Sequence, residues 1–156
     1  MFKEQTPQLL DLNSLENYDS IILSGRRKNE KKINEINSKI ITFSINNDTK
    51  LLGICYGAEI LALTLGGTIR KTLSIHKGNE TIKIFKENPI SSDSLDVFES
   101  HGFEISKLPN TLVSLAESKH CKYEIIQYEK NLIFGTQFHP EMSQDGHDLI
   151  EKFCSL

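Results

Sequence analysis

Residues 50–67, Lys50-Leu51-Leu52-Gly53-Ile54-Cys55-Tyr56-Gly57-Ala58-Glu59-Ile60-Leu61-Ala62-Leu63-Thr64-Leu65-Gly66-Gly67, change their hydrophobic period partway along. Residues 50–54 form an apolar run of strand length, whereas residues 58–65 are apolar almost all round, the pattern of a buried helix. Gly66-Gly67 ends that helix, because glycine takes a left-handed cap conformation at little cost. At the junction a nucleophile, Cys55, stands between Gly53 and Gly57. This is the composition of a nucleophile elbow, a strained strand-to-helix turn that needs small neighbours to fold tightly. Cys55 would occupy its tip and face the first turn of the helix, where backbone amides and the helix dipole favour an anion. Free cysteine is also a common small core residue, so the elbow alone leaves both roles open.

Upstream, residues 19–24 (Asp19-Ser20-Ile21-Ile22-Leu23-Ser24) read as a buried strand that ends at Gly25. Arg26, Arg27, Lys28, Lys31, Lys32 and Lys39 then face only Glu30 and Glu35, while Ile33, Ile36 and Ile40 recur at helical spacing. The spacing predicts a basic loop running into an amphipathic helix. The loop is either a docking element or a solvated face. Residues 40–45 fit a short strand or a helix end. Downstream, residues 68–85 predict short strands around a turn at Lys77-Gly78-Asn79, and residues 95–98, 111–116, 123–128 and 132–138 predict further strands. Residues 146–153 close the chain as a helix. Early helices and late strands predict an α/β sheet with an added antiparallel section.

The second chemical feature is Gly135-Thr136-Gln137-Phe138-His139-Pro140-Glu141, at the end of an apolar strand. Pro140 favours an extended conformation at His139, and in extended chain residues two apart share a side, which sets Glu141 beside His139. A carboxylate on one imidazole nitrogen fixes the tautomer and stabilises the imidazolium, leaving the other nitrogen to exchange protons with a nucleophile. Taken alone the pair could be a surface turn. Taken with Cys55 it completes a nucleophile, base and orienting acid. The amide of Tyr56, directly after the nucleophile, is the natural first oxyanion donor.

Composition narrows the alternatives. The chain has 156 residues, 38% hydrophobic and 25% charged, and its 18 basic and 21 acidic side chains give a formal net charge of -3. These values fit one globular domain over residues 1–156 and give no cationic field for nucleic acid or a membrane surface. The N-terminal residues lack the pattern of a secretory signal, and the apolar stretch 51–67 carries Glu59 and four glycines, so it reads as core rather than as a membrane span. Cys55, Cys121 and Cys154 are odd in number and contain no C-x-x-C pair, which signals neither a disulfide framework nor a zinc site and points to a cytoplasmic protein. His76, His120 and His147 have no metal-ligand spacing, so no metal is expected. No phosphate-cradling glycine loop is present, and no cofactor is expected.

In the segments 53–57 and 135–141 the chain resembles the class I, triad-type glutamine amidotransferases. Within that family, Cys55-Tyr56-Gly57, Leu65-Gly66-Gly67, Ser100-His101-Gly102 ahead of Leu108-Pro109, and Ala116-Glu117-Ser118 to Cys121 most resemble the amidotransferase subunits of GMP synthases. The likeness runs from about residue 19 to the C-terminus. It implies a flavodoxin-like α/β sheet with flanking helices, with Cys55, His139 and Glu141 as the catalytic triad. It also implies glutamine as substrate and, as partner and ammonia acceptor, a separate ATP-dependent synthetase. Gly25 and the loop through Arg26 would supply the second oxyanion donor. Gly57 and the residue at 59 would line the pocket, and Ser100, His101 and Gly102 would hold the α-substituents of glutamine, with His101 in a positioning role.

Three departures from the family lie near this chemistry. Arg26 and Arg27 stand where the family usually has glycine and proline, so the second oxyanion donor is expected to be costly to orient. Glu59 stands where glutamine is usual, and its carboxylate either repels the α-carboxylate of the substrate or pairs with Arg26 or Arg27. The family's first strand and helix are expected to be lacking. That leaves residues 1–12, a rearranged sheet or a partner chain to cover the edge. These departures keep two rivals in view: an amidotransferase-like regulator without catalysis, and a cysteine hydrolase acting on another amide or γ-glutamyl bond.

Overall fold

The structure, a computed structural model, describes residues 3–6, 10–25, 30–129 and 131–156. Alternation along its central strands produces a sheet with two apolar faces. On β2 (Lys50–Ile54) Leu51 joins one core while Leu52 and Ile54 join the other, and on β7 (Ile133–Thr136) Ile133 and Phe134 divide in the same way. One face is covered by α1 (Lys31–Asn46) and α2 (Tyr56–Thr64), through Ile40, Ile41, Ala58 and Leu61. The other is covered by α3 (Gln144–Ser155), whose Leu149 and Phe153 are buried and whose Phe153 ring meets Phe134 edge to face at 6.3 Å. A two-sided core of this kind needs strands that are apolar on both faces, which explains the unbroken Leu51-Leu52 and Ile133-Phe134 pairs.

The remaining strands are β1 (Ser20–Leu23), β3 (Thr68–Ile84), β4 (Ser94–Lys107), β5 (Leu112–Glu117) and β6 (Ile125–Tyr128). The seven run in the order β1-β2-β7-β6-β5-β3-β4. Pairing is parallel from β1 through β2 to β7 and antiparallel across the rest. The expected α/β sheet with flanking helices and an antiparallel section is therefore present. Among the described residues no helix is long and apolar enough to cross a membrane.

Several local expectations change. Residues 40–45 belong to α1: Asn37, Ile40, Ile41 and Ser44 are its buried residues, at the spacing of one helical face. The helix after the elbow starts at Tyr56, and the closing helix starts at Gln144 behind Ser143, whose hydroxyl accepts from the Gly146 amide at 3.2 Å. Residues 68–84 form one strand of 17 residues rather than short strands around Lys77-Gly78-Asn79. Gly78, at φ 132°, stays in the ladder opposite Glu99. Its partner β4 runs for 14 residues, past the strand expected over 95–98 and straight through Ser100-His101-Gly102. Between Lys71 and His76 the register shifts and β3 bulges outward, which leaves Leu73 and Ile75 exposed.

Ahead of β1, the described residues contain a 3-10 turn (Leu12–Asn17) and no strand. β1 is the edge of the sheet among the described residues. Met1, Phe2 and residues 7–9 lie outside the described residues, as do Arg26, Arg27, Lys28 and Asn29. The docking role read into the basic loop lies there too.

Candidate active site

The parallel strands β1, β2 and β7 end together, and the chain segments that leave them build the site. Cys55 follows β2 with φ 50° and ψ −102°, a backbone conformation that a non-glycine residue adopts only under constraint. The constraint comes from packing on both sides. A Cβ at Gly53 would lie 2.6 Å from the Gly57 carbonyl carbon, and a Cβ at Gly57 would lie 2.4 Å from the Leu23 oxygen. The Cys55 amide donates to the Thr136 oxygen at 2.6 Å, tying the elbow to β7, and the Glu59 amide donates to the Cys55 oxygen at 3.1 Å. The expected elbow is present, with Cys55 largely buried at its tip.

His139 follows β7. Its amide donates to the Phe98 oxygen at 2.9 Å, so β4 holds the backbone of this residue. The ring lies with Nδ1 2.7 Å from Glu141 Oε1, and its electrostatics are coupled to the Cys55 side chain. The expectation that His139 and Glu141 meet holds, although the geometry differs: His139 is extended, but Glu141 sits in a 3-10 turn (Pro140–Met142) that folds its carboxylate back onto the ring. Gly25 makes room for that ring, because a Cβ there would come within 3.0 Å of His139 Cε1. This contact is a steric role for Gly25 additional to the oxyanion role implied by resemblance.

The electrostatics follow from these contacts. The hydrogen bond with Cys55 and that with Glu141 raise His139 to about 10, overcoming burial, which acts in the opposite sense. Burial would raise the Glu141 carboxyl, but the hydrogen bond from His139 and the charges of His139 and His147 hold it below its ordinary value. His147 also reaches the Glu141 backbone oxygen at 2.9 Å through Nε2, so this histidine supports the turn. Because His139 is raised from 6.5 to about 10, its pairing contributes stability that is complete below about 6.5 and is lost as pH rises through about 10. Replacing Glu141 by Gln removes a charge and a strong acceptor. We expect the His139 titration, followed by imidazole NMR, to move down from about 10. An unchanged titration would show that Glu141 does not act on the ring.

The remaining predicted residues divide. Tyr56 opens α2, and its buried side chain points away from the site, with the hydroxyl on Asn34 and Asn37 of α1. Glu59 is 4% exposed and accepts from Gln137 Nε2 at 3.5 Å. The same amide lies 3.9 Å from Cys55 Sγ. Gln137 thus joins the nucleophile to Glu59, a role not assigned to it from sequence, although it stands in the quoted 135–141 motif. Pairing of Glu59 with Arg26 or Arg27 falls outside the described residues. On β4, Ser100 is exposed, Gly102 lies against Ile75, and His101 is buried. His76 meets the His101 ring edge to face and the His120 ring at a tilt, but among the described residues no group of three or more His, Cys, Asp or Glu side chains could hold a metal ion. Cys121 is buried, and burial together with the Glu124 charge pushes its thiol far above the ordinary value, so it is inert.

The glutamine amidotransferase class-I family model matches residues 2–155. A glutamine-hydrolyzing GMP synthase subunit of Saccharolobus solfataricus is 31% identical over 160 residues, covering 98% of this chain and 84% of that protein. The corresponding GMP synthase subunit of Methanocaldococcus jannaschii is 29% identical over 156 residues, covering 97% of this chain and 80% of that protein. The glutamine-hydrolyzing GMP synthase of Aliivibrio fischeri (strain MJ11) is 29% identical over 143 residues, and the match spans only 27% of its length. Among solved structures, a GMP synthase subunit-type protein from Thermoplasma acidophilum superposes with a TM-score of 0.81 at 26% identity, covering 92% of this chain and 74% of that one. With the family matched from residue 2 to residue 155, this chain belongs to the class I glutamine amidotransferases.

Proposed function

We propose that this protein is the glutaminase component of a two-component GMP synthase. In this reading it hydrolyses glutamine and passes the ammonia to a separate ATP-dependent synthetase. The observation that carries the reading is Cys55 at a strained elbow, acting electrostatically on a His139 whose Nδ1 is held 2.7 Å from Glu141. Relatives named as subunits of GMP synthase, matched over four-fifths or more of their length, support a separate partner.

The chemistry uses each group once in each half-reaction. Cys55 Sγ attacks the side-chain amide carbon of glutamine, forming the C–S bond and a tetrahedral oxyanion. His139, an imidazolium stabilised by Glu141, gives a proton to the amide nitrogen as the C–N bond breaks and ammonia leaves. Water then attacks the thioester carbon while His139 takes its proton, and collapse releases glutamate and the Cys55 sulfur. The oxyanion of each intermediate needs about two backbone donors, worth roughly 3 kcal/mol each. The Tyr56 amide is one in this reading; the second, which the resemblance assigns to the chain at Gly25 and Arg26, falls partly outside the described residues.

Intact mass after exposure to a diazo-ketone analogue of glutamine tests this, with wild type compared to Cys55→Ala, each with and without the candidate synthetase. A single adduct that requires Cys55 is the expected result. Folded wild type with no adduct in any condition would overturn the reading and favour the regulator without catalysis. A second reading rests on buried Glu59 beside Gln137: a cysteine hydrolase of the same fold acting on another amide or γ-glutamyl bond. Turnover of such amides without turnover of glutamine would select it.

A further inference from the structure

Gln137 lies wholly inside the protein, and its place is set by the backbone on either side of the elbow. Its amide donates to the Glu124 oxygen at 2.9 Å, and the residue before it, Thr136, accepts from the Cys55 amide at 2.6 Å. The side chain therefore leaves the end of β7 beside the nucleophile. Its Nε2 is 3.5 Å from Glu59 Oε1 and 3.9 Å from Cys55 Sγ. Glu59 is fixed in turn, because its own amide, in the first turn of α2, donates to the Cys55 oxygen at 3.1 Å. Three backbone hydrogen bonds thus hold nucleophile, amide and carboxylate in one cluster.

A side-chain amide carries two N–H donors on its nitrogen and an oxygen that only accepts. Both contacts of Gln137 are made by Nε2, one for each hydrogen. Oε1 is buried and has no hydrogen-bond partner among the described residues, so the hydrogen-bonding capacity of this amide is spent at its nitrogen. Turning the amide round would set Oε1 against the Glu59 carboxylate and the Cys55 sulfur, acceptor against acceptor. As a carboxylate, Glu59 only accepts, and it therefore keeps the nitrogen turned inward. A glutamine at 59, whose amide donates as well as accepts, would exert no such lock.

We propose that Gln137 is a catalytic residue that donates an N–H to the Cys55 sulfur, with Glu59 as the positioning residue that keeps its nitrogen turned toward that atom. The inference concerns the reactivity of Cys55 and rests on the glutaminase reading only for the bond that the sulfur attacks. A donor on sulfur favours the thiolate, the form that attacks, and a hydrogen bond to an anion is shorter and stronger than one to a neutral group. The 3.9 Å contact belongs to the resting site and is expected to shorten as Sγ takes on charge, as catalytic hydrogen bonds do when a site is loaded. His139 and Gln137 then take separate parts. The imidazole exchanges protons, whereas the amide does not titrate and steadies the anion without any proton changing owner. When the thioester collapses and the electron pair returns to Sγ, the same N–H meets it. The carboxylate at 59 that departs from the family thus serves the nucleophile.

The rate of Cys55 alkylation by iodoacetamide in the full chain near neutral pH, located by peptide mass, reads the sulfur without requiring glutamine. Gln137→Met keeps the length of the side chain and removes both donors, and its rate is expected to fall about tenfold, the equivalent of one charge-assisted hydrogen bond. A glutamine with a merely structural role predicts the opposite sign, because looser packing around a Cys55 that is only 8% exposed admits the reagent faster while the melting temperature falls. If Gln137→Met does not fold, the double variant Glu59→Leu with Gln137→Met removes acceptor and donor together, an exchange that an interior tolerates better than an orphaned partner. Loss of the Glu59 anion would by itself speed alkylation, so a rate still below wild type supports the donor. A folded variant alkylated as fast as wild type, or faster, overturns the inference. Glutamine turnover measured in parallel is expected to fall in kcat with KM unchanged, and it keeps the two ideas apart. Wild type that fails to hydrolyse glutamine while Gln137→Met slows alkylation loses the function and keeps the donor; glutamine hydrolysis with an alkylation rate indifferent to Gln137 keeps the function and loses the donor.

Discussion

A His139→Gln variant is expected to lose glutamine hydrolysis by about four orders of magnitude or more in kcat, as removal of a member of a nucleophile and base pair does elsewhere. The reason lies in what His139 touches. In the proposed mechanism His139 is the cationic partner of the Cys55 nucleophile, whose side chain contributes to raising it, and the same proton is the one the departing ammonia needs. Glutamine at 139 can donate a hydrogen bond but cannot exchange a proton near neutral pH, so both steps fail together. KM should change little, because the resemblance places the α-substituents of glutamine on other residues, at 100–102. Alkylation of Cys55 by iodoacetamide near neutral pH should slow in the same variant, which would show that the nucleophile was intact but unpartnered. Stopped assays of glutamate release provide the measurement. A kcat within tenfold of wild type would remove His139 from the chemistry and with it the proposed mechanism.

The parts of this site that the sequence exposes are the parts made by short-range geometry. Gly53, Cys55 and Gly57 lie within five residues, and their spacing encodes the elbow because each glycine is needed by an atom nearby in the chain or across one strand. His139 and Glu141 are likewise legible, since two residues and one proline decide their contact. The β3 and β4 pair is a different case. Of the 17 residues of β3 only Ile82 is buried, so although exposure alternates over residues 76–84 no apolar run spans the strand, and the polar stretch at Lys77-Gly78-Asn79 looks like a turn. Long-range pairing with β4, rather than local pattern, keeps it extended.

Buried polar residues escape detection for a related reason. Glu99, His101 and Glu124 are among the most hydrophilic residues of the chain, and nothing local distinguishes them from solvated surface. They are interior because strands distant in sequence bring them there: all three are buried, and His101 Nε2 lies 3.1 Å from Glu99 Oε2. Gln137 was visible in its motif, but its bridge from Cys55 to Glu59 depends on where α2 places Glu59. Reading hydropathy finds the walls of this site, and the groups that hold it emerge only from the fold.

Replacing Gly57 with alanine is expected to destabilise the protein by about 3 kcal/mol, at the upper end for an added core methyl group, and to lower Tm by about 10 °C. The new Cβ would stand 2.4 Å from the Leu23 oxygen, 3.1 Å from Leu23 Cβ and 3.3 Å from Leu23 C. The nearest of these atoms is backbone at the end of β1, so no rotamer change relieves the clash. Either α2 moves away from β1 or β1 moves out of register with β2, and both movements cost packing against Leu23, Ala58 and Leu61. Gly66→Ala provides the control. Gly66 has φ 91° but open space around its missing Cβ, so alanine there should cost only the backbone term, about 1 kcal/mol. The two variants separate steric demand from conformational demand on the same helix. Gly57→Ala should also reduce glutamine turnover by more than its loss of folded protein explains, because displacing α2 shifts Cys55 relative to a His139 held by β4 and β7. Thermal melts of both variants followed by circular dichroism decide the matter. If Gly57→Ala melts no lower than Gly66→Ala, the elbow is not held by close packing on β1, and the strained conformation of Cys55 must have another support.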